Sequence, residues 1–349
     1  MPKASKSTFE GVKKMAENQS IVPETTWPIF FELNLHVFSP QKTNSIKISN
    51  GTTHVEILIQ APSNVKLIGM LKDSKNDKIF GGDRVFYDRH KKLWRCLFAP
   101  NSNGTFTAII LAKRDSDSGN YTSACRYTLE ASQIPSTPVS YPTTWQLFYD
   151  LELEVEAAYD RATIPWSENA SYVEIRMRAP DDVQLSCNIQ YNGSNIENGT
   201  LAQFDSDRHN WQLLFAPQHT GLHVLCVYAK RENDISSSSS SVAQFHLHVT
   251  QPKQRIKFPK IYSKFTKNKC RILEPMYNPL KRGSQTLIYC RVPGATDVNV
   301  KIDSDWDEKG GYQDPVYKKI VKVGSESVTV YAKYDHKSSY DGLFTYVVR

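Results

Sequence analysis

The chain repeats itself at the length of a domain. Thr25-Thr26-Trp27 returns as Thr143-Thr144-Trp145, and Val55-Glu56-Ile57 with Ala61-Pro62 returns as Val173-Glu174-Ile175 with Ala179-Pro180. Asp88-Arg89-His90, Trp94 and Phe98-Ala99-Pro100 return as Asp207-Arg208-His209, Trp211 and Phe215-Ala216-Pro217, and Ala112-Lys113-Arg114 returns as Ala229-Lys230-Arg231. The offset is 117 to 119 residues throughout. That is too long for a solenoid unit and right for one small domain copied in tandem. Each position can therefore be read by what replaces it in the other copy. A shorter third copy follows: Val292-Pro293-Gly294-Ala295 echoes Ala179-Pro180, Tyr331-Ala332-Lys333 echoes Tyr228-Ala229-Lys230, and Gly324 answers Gly104 and Gly221. Three domains of roughly 100 residues fit a chain of 349.

Each copy is patterned as strands. Val173-Glu174-Ile175-Arg176-Met177-Arg178 alternates strictly, with Val, Ile and Met on one face and the charges on the other. Tyr149 to Val155 and Phe31 to Leu35 do the same. Asn50-Gly51, Gly81-Gly82-Asp83, Asn103-Gly104, Asn192-Gly193 and Asn198-Gly199 punctuate them, and Asn-Gly tolerates the positive φ of tight hairpins. No stretch past the N-terminal tail carries a helical stripe. Many short alternating strands per ~100 residues predict an all-β chain of three tandem immunoglobulin-like sandwiches. Trp94 or Trp211 is the expected buried aromatic, although the Cys…Trp…Cys order of antibody domains is absent. The expected organisation is a flexible tail over 1–22, sandwiches over 23–133 and 139–250, a basic linker over 251–268, and a third sandwich over 269–349. Ser236–Ser241 and its counterpart Asp115–Gly119 read as hairpin loops. The tail has no apolar core to make it a signal peptide, and no run of 18 apolar residues occurs.

The six cysteines do not form a framework. Cys96 aligns with Leu213, Cys125 with Ala243, Cys226 with Ile109, Cys187 with Gly69, and Cys290 with Met177 and Ile59. Most are exchanged for apolar residues, as expected of a thiol packed as a small hydrophobe. Reduced thiols and a cytoplasmic setting are the expectation, with a Cys187–Cys226 bridge left open. Seven sequons, at Asn18, Asn50, Asn103, Asn120, Asn169, Asn192 and Asn198, pull towards an extracellular adhesion module. Turn-rich Asn-Gly-Thr sequence produces several of them for its own reasons.

Chemistry is sparse. Asp88-Arg89-His90 and Asp207-Arg208-His209 are the most site-like elements, and a charged hairpin turn explains them more simply than a base with its orienter. Asp303, Asp305 and Asp307 alternate near Trp306 but read as a solvated turn. No zinc spacing or phosphate loop is present, so no catalytic residue, metal or cofactor is expected. The basic stretch is the better signal. Lys253, Arg255, Lys257, Lys260, Lys264, Lys267, Lys269 and Arg271, followed by Lys281 and Arg282, stand against Glu274 alone. This exceeds the net charge of +7. With Phe258, Tyr262 and Phe265 interleaved, the first eight are the candidate partner-binding residues, for an acidic protein such as a filament or for an anionic surface. Nucleic acid is the weakest of the options, since no RNA-recognition strand or DNA-reading helix is present.

Phe258-Pro259-Lys260-Ile261-Tyr262, Leu273-Glu274-Pro275, Val292-Pro293-Gly294-Ala295, Trp306, Val328-x-Val330-Tyr331-Ala332-Lys333 and Leu343-Phe344-Thr345-Tyr346 carry a resemblance. So do Asp207-Arg208-His209-x-Trp211-x-Leu213 upstream. Together these residues resemble the immunoglobulin-like C-terminal region of the kyphoscoliosis peptidase / hillarin family. The resemblance implies cytoskeletal organisation and, in family members, a transglutaminase-like core with a Cys-His-Asp triad. No such core is found here, so what it implies for this chain is the scaffold role of the sandwiches. An accessory or degenerate part of a transglutaminase-like cysteine peptidase is the competing reading.

Overall fold

The computed structural model describes residues 23, 25–40, 45–49, 51–234, 239–335 and 339–349. The expected flexible tail, the sequons at Asn18 and Asn50 and half of the serine run lie outside the described residues. Six sheets pair into three sandwiches, and the chain divides into two compact units, 1–141 and 142–349.

In the first unit one sheet runs through Thr25–Thr26, Thr122–Ala131, Gly104–Arg114 and Val65–Lys72, with Ser45–Ile48 parallel to Thr122–Ala131. The facing sheet runs through His36–Ser39, Val55–Gln60, Leu93–Phe98 and Asp83–Asp88. The second unit repeats this plan. One sheet holds Thr143–Thr144, Ser240–Val249, Gly221–Arg231, Val183–Tyr191 and Ser194–Asn195, and its partner holds Glu154–Val155, Val173–Arg178, Asn210–Phe215 and Thr200–Asp205. The third sandwich pairs Lys260–Ile261, Asp341–Val347, Ser327–Lys333, Asp297–Ile302 and Asp305–Trp306 against Arg271–Glu274, Gln285–Arg291, Val316–Lys322 and Tyr312–Gln313.

The period-2 pattern explains which side chains go inside. Ile57 and Ile59 in the first sandwich and Ile175 and Met177 in the second are fully buried, and each such side chain contributes about 1.5–3 kcal/mol. Trp94 and Trp211 are both core residues, as the sequence predicts. Tyr317 occupies the corresponding place in the third sandwich, while Trp306 is exposed and rests against Tyr331 and Tyr340.

Just after its first two-residue strand each sandwich has a short helix that sequence periodicity does not reveal: Pro28–Glu32, Gln146–Asp150 and Ser263–Lys267. Five residues are too few to display a 3.6-residue stripe. What fixes each helix is one buried ring, Phe30, Phe148 or Phe265. The backbone N–H of that residue donates to the carbonyl three residues back, at 2.9–3.0 Å. The stretch expected as a linker thus contains a strand, Lys260–Ile261, paired with Asp341–Val347, and the third of these helices.

Candidate partner-binding surface

The basic residues separate into two groups. In the first, cations bind this chain's own carboxylates. Lys264 pairs with Asp341 at 3.2 Å. Lys269 donates to Asp181 at 2.8 Å, with its ammonium 4.8 Å from the centre of the Phe204 ring. Arg271 reaches Asp205 at 2.6 Å. In the second group, Lys253, Arg255, Lys257 and Lys260 are exposed, and none forms an ion pair among the described residues. Lys260 lies over the Tyr262 ring. Lys267, on its helix, is likewise exposed and forms no ion pair among the described residues.

The Lys264 pair lies within the third sandwich, whereas Lys269 and Arg271 belong to a clamp between the second and third sandwiches. The outward face of the sheet containing Val173–Arg178 is polar, as the alternation predicts, yet it is covered. Arg176 bonds Glu174 and also donates to Asp205 and Asn210, each at 3.1 Å. Gln212 links Glu174 to Gln203, and the Gln203 carboxamide oxygen accepts the Ile272 N–H of the third sandwich at 2.9 Å. Arg291 donates to Ser206 and Asp207. Leu201, Leu214 and Ala216 of the same face pack into the third sandwich's core. Burial opposes the Asp205 charge, but the Arg176 hydrogen bond and the Arg271 and Arg176 charges hold its carboxyl below the usual range.

The remaining candidates are structural. Asp88 accepts the His90 and Lys91 N–H groups at 3.0 Å, which closes a hairpin turn. Lys92 and His209 occupy equivalent turn positions with φ of 55° and 52°. Asp303 accepts the Ser325, Glu326 and Ser327 N–H groups, and these bonds lower its carboxyl to about 2. Among the described residues no three His, Cys, Asp or Glu side chains converge as a metal site. All six cysteines are free. The register settles the one bridge left open: Cys187 lies opposite Val227 and Cys226 opposite Asn188, so the two thiols are on opposite faces of the sheet. Burial pushes the Cys125, Cys187 and Cys270 thiols up to about 12, and Cys96 and Cys290 well above their ordinary value. That is the reverse of an activated nucleophile. No helix among the described residues is long and apolar enough to cross a membrane.

A cleft of about 570 Å³ opens beside the exposed cations, lined by Tyr191, Asn195, Glu197, His219, Arg255 and Lys257 among others. His219 stacks on Tyr191, with ring centres 4.6 Å apart and planes at 19°. Gln218 anchors the incoming chain by donating to the Ile256 carbonyl at 2.6 Å. Ile256 is buried between exposed Arg255 and Lys257, so both cations project from one side of an extended segment. Sequence reasoning named Arg255 and Lys257 but missed Tyr191 and His219. The available signal was the copy comparison, which puts Asp73 and Ser102 at those two positions.

Residues 24–142 and 135–260 match the model of the KY-like, immunoglobulin-like domain. No curated protein matches the chain. Similar solved structures include an I-band titin fragment of three immunoglobulin domains, at 10% identity over 88% of this chain and 95% of that one, TM-score 0.18. Another is SGBP-B of the Bacteroides ovatus mixed-linkage glucan utilization locus, solved with a heptasaccharide, at 9% identity over 90% and 70%, TM-score 0.20. A titin domain pair in complex with telethonin matches at 9% identity over 63% and 98%, TM-score 0.18. Scores this low give these likenesses no bearing on function.

Proposed function

Because the chain belongs to the KY-like immunoglobulin-like domain family, we propose that it is a non-catalytic scaffold of the cytoplasm. It would hold protein partners at the cytoskeleton through sandwich edges, loops and the exposed cations of the segment between its second and third sandwiches. One observation carries this reading. Lys253, Arg255, Lys257 and Lys260 stay exposed and without ion pairs among the described residues, while neighbouring Lys264, Lys269 and Arg271 are held in pairs. Four like charges presented on a rigid support attract an acidic partner, and salt screens that attraction. The buried, unreactive thiols support the non-catalytic part, and six free thiols suit a reducing compartment.

The test is capture from native lysate with the full chain as bait at low and moderate salt, read by mass spectrometry. Filament or junction proteins should be recovered, lost as salt rises, and reduced by combined Lys253→Gln, Arg255→Gln, Lys257→Gln and Lys260→Gln. Recovery of secreted or ectodomain proteins alone, or of nothing at either salt, overturns the reading.

A further inference from the structure

Two copies of one fold separate what the fold needs from what was added to it. Around the cleft the second sandwich departs from the first at most positions, and five of these departures bear on what the cleft can hold. Tyr191 stands where the first has Asp73, His219 where it has Ser102, His223 where it has Phe106, Arg255 where it has Pro138, and Lys257 where it has Ser140. The hairpin after Tyr191 is one residue shorter than its counterpart after Asp73, but the neighbouring strand and the incoming segment match. Gly104–Arg114 and Gly221–Arg231 are strands of 11 residues each. The segments carrying the last two differences are pinned alike, by Tyr141 N–H to the Gly81 carbonyl and by Phe258 N–H to the Asn198 carbonyl, both at 2.8 Å. The fold therefore forms with the first set of residues and does not call for the second.

One of the five works against stability. Phe106 is an apolar core residue, 3% exposed. His223 takes its place fully buried, and its Nε2 has no hydrogen-bond partner among the described residues. An unpaired buried polar atom is destabilising, and such departures from local rules gather at functional sites. The His223 ring lies 5.1 Å from that of Tyr191, which lines the cleft and stacks on its far neighbour His219. Four of these substitutions, from three separate segments, line one cleft, and His223 backs it through its contact with Tyr191. They supply a flat aromatic pair and two cations, Arg255 and Lys257, against a single acid, Glu197.

We propose that this cleft binds an anionic protein segment, either clustered carboxylates or a phosphorylated side chain, with the charge between Arg255 and Lys257 and the adjoining peptide against the Tyr191–His219 stack. This deepens the scaffold reading and rests on it for the partner being a protein. Arginine supplies a bidentate fork for a carboxylate or phosphate, lysine supplies a point charge, and the rings supply contact area without a sequence requirement.

The experiment titrates the full chain with acetylated tetraglutamate, a matched phosphoserine peptide, tetraglutamine and inorganic phosphate. The readout is the His219 and His223 imidazole resonances, assigned by substitution. Both resonances should move with tetraglutamate or with the phosphoserine peptide, and the tighter of the two identifies the source of the anion. Arg255→Gln with Lys257→Gln should weaken binding about tenfold or more. Tyr191→Asp, which installs the first copy's residue, should weaken it without unfolding the sandwich. The proposal is overturned by no shift with either acidic peptide, by an equal shift with tetraglutamine, by a shift with inorganic phosphate alone, or by unchanged affinity in the double variant. Salt-sensitive partner capture that survives the double variant removes the cleft and leaves the scaffold reading in place. Peptide binding at the cleft without salt-sensitive capture does the opposite.

Discussion

Asp205→Asn is the sharpest perturbation of the clamp between the second and third sandwiches. The Asp205 side chain is 3% exposed and accepts from Arg176 at 3.1 Å and Arg271 at 2.6 Å. Asparagine keeps the shape and one acceptor but removes the charge, leaving Arg271 facing no carboxylate. Breaking a buried pair from one side costs about 3–5 kcal/mol. Arg271 keeps some exposure, and Arg176 keeps Glu174, so the expected loss is at the low end, about 3 kcal/mol. In a unit of about 200 residues that lowers the melting temperature by roughly 6–12 °C. Differential scanning calorimetry of the full chain reads it, with the transition of the first unit as an internal control. The pH dependence has a definite sign. The folded-state pKa of Asp205 is depressed, so its stabilisation is present above the unfolded carboxylate value and is lost as pH falls through the folded value. The gap between wild type and variant should therefore narrow on acidification below about pH 4. A loss under about 1 kcal/mol at neutral pH, or a gap that acid leaves unchanged, would refute the assignment of Asp205 as the shared anion of the clamp.

Leu214→Ala should cost about 2–4 kcal/mol, since Leu214 is fully buried against the third sandwich, whereas Ile320→Ala, at the equivalent but 63% exposed position, should stay within about 0.5 kcal/mol by urea unfolding. Tyr317→Phe should leave stability unchanged or raise it by up to about 1 kcal/mol, because the buried Tyr317 hydroxyl has no partner among the described residues. A clear loss in the same assay would reveal a hydrogen bond there. Iodoacetamide at pH 8 should label Cys226, which faces outward beside Tyr228, well before the other five thiols. Those five should react at comparable rates only in denaturant, as peptide mapping of the alkylated sites would record.

The sequence made the fold legible because its strongest signal, a copy at domain offset, carried the strand pattern twice. Val173, Ile175 and Met177 are buried where the alternation places them. Arg176 shows the limit of that reading. Alternation assigns it correctly to the outward face, but periodicity does not say whether water or another domain lies across that face. Here a domain does, and the charge is buried. The start of the third sandwich was hidden for a related reason. Lys260–Ile261 is too short to show a period, and its partners Thr345 and Phe344 lie more than eighty residues away. At the candidate surface, the charge count located Arg255 and Lys257. Tyr191 and His219 come from a hairpin and a loop whose proximity only the tertiary fold creates.

The Gln203 carboxamide that receives the Ile272 N–H also governs how the protein fails. Arg271–Glu274 lies at the rim of its sheet, where an unpaired amide is a template for adding a foreign strand. The second sandwich stops that rim with a side chain and covers the adjoining apolar surface with Leu201 and Leu214. If the second sandwich opens or is cut away, an edge amide and greasy surface appear together in one place. The clamp is then as much a guard against aggregation as a source of stability, and its loss would send the protein towards insoluble assemblies instead of a soluble intermediate.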